Sequence, residues 1–269
     1  MSDLTQATIE DFGAQWKRYR DNKDYYGSVA LLKDLFGPLL ATEEIEGRKV
    51  AEIGSGSGRI VLMLLRSGAA HVTAIEPSQA IEVLRANTRE FSSRVDYVHA
   101  RGEAIPQDRN FDYVFSIGVL HHIPDPDPVV RAAFQSLRPG GRLLVWLYGR
   151  EGNEAYLWWV LPFQKLTRRL PDMILAALCH GLNVLLAVYI WLCRFLPLPM
   201  RAYMRGHVGK LSWHARYLTI FDQLNPAEAR YYWKAEAQAL LEKAGFEDVQ
   251  LAHRHGYSWT VIGTKPVGV

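Results

Sequence analysis

The sequence predicts an α/β fold: a seven-stranded, mostly parallel sheet with helices on both faces. Three observations carry this. Between residues 48 and 148, short apolar runs alternate with stretches of helical period. Strands separated by helices of that length are joined by right-handed crossovers and lie parallel. The first run ends in Gly54-Ser55-Gly56-Ser57-Gly58, and a helical pattern follows at once. Finally, 49% hydrophobic and 22% charged residues over 269 positions supply a packed core, which excludes disordered, collagen-like and disulfide-stapled classes.

Taken in order, residues 1–46 read as an N-terminal helical cap. Trp16, Tyr19, Tyr25 and Tyr26 come first, then Val29, Leu31, Leu32, Leu35, Phe36, Leu39 and Leu40 at helical spacing. Residues 47–149 form the ligand-binding core, with strands expected at 48–53, 72–75, 95–100, 113–117 and 142–147. Helices are expected there at 60–65, 79–91 and 128–137. Residues 150–225 break the rhythm. They are rich in Trp and Leu, are interrupted at Pro162, Pro171, Pro197 and Pro199, and read as a helical insertion after the fifth strand. That insertion falls at the carboxyl edge of the sheet, where doubly wound folds bind ligands, and is expected to be a lid forming an acceptor pocket. Residues 226–269 complete the core, with a helix at 227–244 stopped by Gly245 and strands at 249–252 and 259–263.

The chemistry is concentrated in Val50-Ala51-Glu52-Ile53-Gly54-Ser55-Gly56-Ser57-Gly58-Arg59. Glycines at 54, 56 and 58 allow a sharp turn and a close ligand approach, and the next helix aims its free N–H groups there. The spacing G-x-G-x-G departs from the dinucleotide fingerprint G-x-G-x-x-G. Glu52, two residues before the first glycine, suits an ammonium better than a pyrophosphate.

These residues resemble the class I S-adenosylmethionine-dependent methyltransferases of the small-molecule type. Glu52 to Gly58 is similar to their first motif, and Glu76 in Ala74-Ile75-Glu76-Pro77 to the acid that accepts both ribose hydroxyls. A carboxylate offers a vicinal diol two acceptor oxygens. Phe111-Asp112-Tyr113-Val114, Val119-Leu120-His121-His122-Ile123-Pro124-Asp125 and Leu137-Arg138-Pro139-Gly140-Gly141 resemble three later motifs. The resemblance implies a Rossmann-like fold and S-adenosylmethionine as cofactor. It implies cofactor binding by Glu52, Gly54, Ser55, Gly56, Gly58, Glu76, Pro77 and Ile117. One departure stands out: Arg101 occupies the place of the family's adenine-binding aspartate, leaving backbone at Gly102 and Glu103, with the Glu103 side chain as substitute. Trp16 is expected to close over the cofactor or to pack an N-terminal helix on the sheet edge. His122, after the fourth strand, is the candidate general base, needed only if the acceptor must lose a proton. The alternative is that His121 and His122 cap and rigidify their loop. His214, Tyr217 and Asp222 are weaker candidates.

The expected reaction is methyl transfer to an O, N or C atom of a small, apolar or lipid-like acceptor. The alternatives are a cofactor-binding module without catalysis and non-methyl chemistry on the same cofactor. A net charge of +3 is too weak on its own to indicate nucleic acid, and Ser116-Ile117-Gly118-Val119, in place of the [DN]-P-P-[YF] run that holds an exocyclic amine, makes methylation of nucleic-acid bases the less expected reading; no nucleic-acid partner is expected. The two cysteines, Cys179 and Cys193, lack zinc spacing, and no metal is expected. The opening Met-Ser-Asp-Leu-Thr-Gln has no basic region followed by an apolar run, so no secretory signal and a cytoplasmic location are expected, with the inner face of a membrane as an option. That option comes from residues 173–193, 21 positions without a formal charge, and from a stretch free of acids between Asp172 and Asp222. A single membrane span is rejected, because it would separate the last strands from their sheet. Three readings of this segment stay open: lid, homodimer seam and membrane-surface helix.

Overall fold

The computed structural model describes residues 3–18, 20, 22, 24–167, 170–224 and 229–268. Its strands are β1 (Lys49–Ile53), β2 (His71–Ile75), β3 (Val95–Val98), β4 (Phe111–Ile117), β5 (Leu137–Tyr148), β6 (Glu247–Arg254) and β7 (Ser258–Thr264). They form one sheet in the order β3-β2-β1-β4-β5-β7-β6. β1 to β5 pair in parallel, whereas β7 runs antiparallel between β5 and β6. The strand order reverses between β1 and β4, which opens a crevice at the carboxyl ends of those strands.

The helices are α1 (Asp3–Arg18), α2 (Val29–Phe36), α3 (Arg59–Arg66), α4 (Ile81–Asn87), α5 (Asp127–Ser136), α6 (Glu154–Thr167), α7 (Asp172–Leu192), α8 (Arg201–Gly206), α9 (Trp213–Leu224) and α10 (Lys234–Glu242). The chain divides into two compact units. One comprises residues 1–22, 27–152 and 227–269, and the other residues 23–26 and 153–226.

The sheet unit has two helical layers. Phe36 of α2 stacks on Phe115 of β4, ring centroids 5.2 Å apart. Its neighbour Val114 joins the core formed with Val129 and Ala133 of α5 and with Leu240 and Leu241 of α10. Successive strand side chains point to opposite faces, so α2 covers one face and α5 with α10 the other. Burying each such side chain contributes roughly 1.5–3 kcal/mol.

Several boundaries differ from the sequence expectation, and three of them have a clear local cause. Helix α2 is capped by Ser28, whose Oγ accepts the Leu31 N–H at 3.2 Å, and ends at Gly37, which has positive φ and is followed by Pro38. Leu39 and Leu40 therefore keep the apolar spacing without helical backbone. Helix α10 starts at residue 234, inside the expected 227–244, because Tyr232 just before it pairs with the backbone at the end of β5. The Tyr232 N–H donates to Tyr148 O, and Arg150 N–H donates to Tyr232 O, each at 2.9 Å. Strand β5 starts at Leu137, before the Pro-Gly-Gly turn, because Leu137 pairs with Phe111 of β4, while Gly140 N–H and Gly141 O bond the Lys265 backbone.

In the second unit α6 runs through Pro162, where an interruption was expected, and α7 starts directly after Pro171. Thr167 Oγ1 donates to Leu224 O at 2.6 Å, tying α6 to α9. Asn183 Nδ2 donates to Trp213 O at 2.8 Å, tying α7 to α9. Cys179 and Cys193 are buried and not joined in a disulfide.

Candidate active site

The site is built where β1, β2 and β4 end. After Ile53 the backbone takes positive φ at Gly54, Gly56 and Gly58, a path that side-chain-bearing residues rarely follow. A Cβ at Gly54 would also run into Val119, and one at Gly56 would sit 3.0 Å from Trp16 Nε1.

Glu76, buried at the end of β2, holds this turn. One oxygen accepts the Gly56 N–H at 2.7 Å. The other accepts the Ser78 N–H at 2.9 Å and the Ser78 hydroxyl at 2.5 Å. Three of a carboxylate's roughly four acceptor positions are thus used within the protein. The Ser78 hydroxyl is the exchangeable partner, because it can rotate away.

Glu52 is 1% exposed, and its Oε2 has no hydrogen-bond partner among the described residues. Burial pushes its carboxyl up to about 8, against the opposing pull of the Ser55 hydroxyl and the Arg59 charge; Glu76 adds to the rise. A buried acceptor without a partner calls for an explanation, and a cationic ligand group supplies one. The unpartnered carboxyl oxygen and the side-chain-free glycine turn fit the ammonium and chain of S-adenosylmethionine.

Helix α1 lies across these strand ends. Gly13 packs so closely on Ser78 that a Cβ would come within 2.8 Å of its Cβ. Trp16 covers Gly56, Phe12 meets the His122 ring at 4.8 Å, and Gln6 Oε1 accepts a bond from Arg101 at 3.3 Å. Asn22, just beyond the helix, exchanges hydrogen bonds with Ser57, both at 2.9 Å. Trp16 thus packs α1 against the glycine turn. Tyr19 lies outside the described residues.

The other expected residues are placed as follows. Gly102 is buried in a short turn after β3, where a Cβ would approach Ile53 and Val129 within 2.8 Å. Ile117 is buried at the end of β4, and Pro77 is half-buried. Glu103 is exposed at the rim. Arg101, where the family carries an acid, bonds α1 instead.

His122 is almost buried, inside an aromatic cluster. Its ring lies 4.3 Å from His121 and 5.7 Å from Tyr148. His121 stacks on Tyr148 at 3.9 Å, and Tyr231 stacks on Tyr148 at 5.4 Å. His121 is fully buried, with neither ring nitrogen hydrogen-bonded among the described residues. Burial, helped by the neighbouring His122, holds its pKa well below the usual histidine range, so its ring is neutral at pH 7. Sequence reasoning missed Ser78, Phe12, Tyr148 and Tyr231 as neighbours of this site. Only Ser78, two residues after Glu76, carried a local signal.

The weaker candidates belong to the other unit. Tyr217 is buried and stacks on His180 at 4.5 Å, His214 is exposed, and the Asp222 side chain lies outside the described residues.

Comparison with known proteins agrees with this geometry. Residues 51–145 match a family model described as a methyltransferase domain. A ubiquinone biosynthesis O-methyltransferase of Aromatoleum aromaticum is 36% identical over 130 residues, 47% of this chain and 55% of that protein. The chain thus spans about half the length of that relative. An enzyme of the same name from Pseudomonas fluorescens is 27% identical over 175 residues, 64% of this chain and 75% of that protein. A methyltransferase structure from Aquifex aeolicus superposes with a TM-score of 0.52 at 15% identity, covering 94% of this chain and 98% of that one; at that identity it speaks for the fold. With the glycine turn and the seven-stranded order in agreement, residues 51–145 form a methyltransferase domain of the class I S-adenosylmethionine-dependent type.

Proposed function

We propose that this chain transfers a methyl group from S-adenosylmethionine to a hydroxyl oxygen of an apolar, ring-bearing acceptor. The observation that carries the reading is the Gly56–Glu76 hydrogen bond set beside the orphaned carboxyl of Glu52, with His122 at the end of the neighbouring strand. The choice of oxygen and of a ring-bearing acceptor is supported by relatives named for O-methylation in ubiquinone biosynthesis. The rings of Phe12, Tyr148 and Tyr231 around the two histidines support it as well.

When bound, the cofactor supplies an electrophilic methyl on a cationic sulfur, with a neutral thioether as leaving group. The chain's own residues bind and orient. Glu76 holds the glycine turn and accepts ribose hydroxyls, Glu52 balances the ammonium, and Trp16 shields the turn from water. His122 takes the proton of the acceptor hydroxyl at a ring nitrogen. Neutral His121 sits beside it, ring centroids 4.3 Å apart in a tilted arrangement. The aromatic side chains hold a flat acceptor and exclude water, so that positioning supplies much of the rate.

The test is incubation with methyl-labelled cofactor and a membrane lipid extract, followed by mass analysis of the labelled product. His122→Ala is expected to lower label transfer by roughly 10²–10⁴-fold. Calorimetric affinity for S-adenosylhomocysteine should stay within a few-fold. Full activity of the variant removes His122 from the chemistry, and label on a carbon or nitrogen of the product overturns the hydroxyl assignment.

A further inference from the structure

Helix α7 is built inside out for a helix in water. Its inward positions include Leu175, Cys179 and Ile190, but also the amide of Asn183, which is 0% exposed. Its outward face carries Ile174, Val184, Leu185, Val188 and Trp191, and Phe195 continues the same three-and-four spacing beyond the helix end. Leu185 is 67% exposed, Trp191 54% and Val188 50%. Only 22% of the most apolar window of this helix is buried, whereas the core helix of a globular unit would be mostly covered. A contiguous apolar face of this kind marks an interaction surface.

The charges around it select the partner. From residue 173 to 221 there is no acid, and the cations Arg194, Arg201, Arg205, Lys210 and Arg216 follow the apolar stripe in sequence. Arg194 and Arg205 are exposed, whereas Arg201 donates to the carbonyls of Cys193 and Arg194. A two-fold seam would set this acid-free surface against itself. An anionic surface complements it. A crossing of the bilayer is excluded by the topology: β5 precedes α7, β7 follows it, and the two are hydrogen-bonded neighbours in one sheet. The 12-residue α9, roughly 18 Å long, is too short to bring the chain back through a hydrocarbon core of roughly 30 Å.

We propose that the outward face of α7, with Arg194 and Arg205 after its carboxyl end, binds the surface of an anionic lipid bilayer, the helix lying in the interface. The stripe enters the boundary between headgroups and acyl chains, Trp191 sits at headgroup level, and the arginines meet lipid phosphates. This stands apart from the methyl-transfer reading, since it needs neither cofactor nor acceptor.

The experiment is flotation of the full-length protein with two vesicle types, phosphatidylcholine alone and phosphatidylcholine with one-third phosphatidylglycerol. The protein should float with the anionic vesicles and dissociate as salt rises. Arg194→Gln and Arg205→Gln should each weaken binding about fivefold. The pair Leu185→Glu with Val188→Glu should weaken it more than tenfold. Both leucine and valine are exposed, so the pair should keep the cofactor affinity of the parent protein, measured by calorimetry as evidence of folding. Three results would overturn the proposal: no flotation, equal flotation on both vesicle types, or a lipid-indifferent dimer that the double glutamate variant splits.

Discussion

Glu52 sits where the fold leaves no room for its charge, and this makes it a pH-sensitive residue. With its carboxyl raised from 4.5 to about 8, the native chain keeps a proton between those values that the unfolded chain has released. Stability from this group is therefore full below about pH 4.5, falls as pH rises towards 8, and stays level above. Glu52→Gln keeps a neutral side chain of the same shape. Urea midpoints of the cofactor-free variant between pH 5 and 8 should fall less steeply than those of the parent; parallel curves would mean that burial does not hold the proton. The same group links cofactor binding to pH. An ammonium favours the ionised carboxylate, so binding should release a proton below pH 8, seen as different calorimetric heats in two buffers of unlike ionisation enthalpy. The position of Glu52 before the glycines was legible in the sequence. Its protonation was not, because packing from both sides of the strand sets it.

At the scale of elements, a buried ion pair clips α2 to the hairpin of β6 and β7. Arg254 Nε donates to Asp34 Oδ2 at 3.0 Å and to the Asp34 carbonyl at 3.2 Å, and its side chain is only 5% exposed. His255 Nε2 lies 2.9 Å from Asp34 Oδ1. Burial raises the Asp34 carboxyl, but the hydrogen bond from His255 and the charge of Arg254 outweigh it and hold it far below its ordinary 3.8. The clip therefore contributes above that pH and weakens as pH falls below it. Asp34→Ala would leave a buried guanidinium uncompensated, at a cost of about 3 kcal/mol. A lower denaturant midpoint with unchanged slope is the expected reading, and an unshifted midpoint would reduce the pair to a surface contact. No sequence pattern announces this clip, since its halves lie 220 residues apart. The extent of α10 was hidden for a related reason: the backbone of residue 232 pairs with β5, and that competition is non-local.

For the molecule as a whole, the glycine turn, β2 and α1 are coupled through Glu76, so cofactor binding should register as global stability. S-adenosylhomocysteine at a hundred times its Kd should stabilise the native state by about 2.7 kcal/mol. In a chain of this size that raises Tm by roughly 5–10 °C. Glu76→Gln loses charge-assisted bonds worth about 1.5–3 kcal/mol each, which should weaken binding more than tenfold. At the same ligand concentration the shift should then shrink to about half or less in scanning calorimetry. An undiminished shift would take Glu76 out of the cofactor site.

The sequence by itself determined the parallel half of the sheet, the glycine turn with its acids at 52 and 76, and the class of ligand. Those signals are local: strand period, turn chemistry and motif spacing are written within a few residues of one another. Tertiary structure alone decided that Glu76 anchors the turn through the Gly56 N–H. It alone set β7 antiparallel between β5 and β6 and gathered Tyr148 and Tyr231 beside His122. It also turned Asn183 inward and Leu185 outward on α7. That helix is apolar all round, so its period names no inner face; only the partners packed against it, α9 above all, select which side is buried.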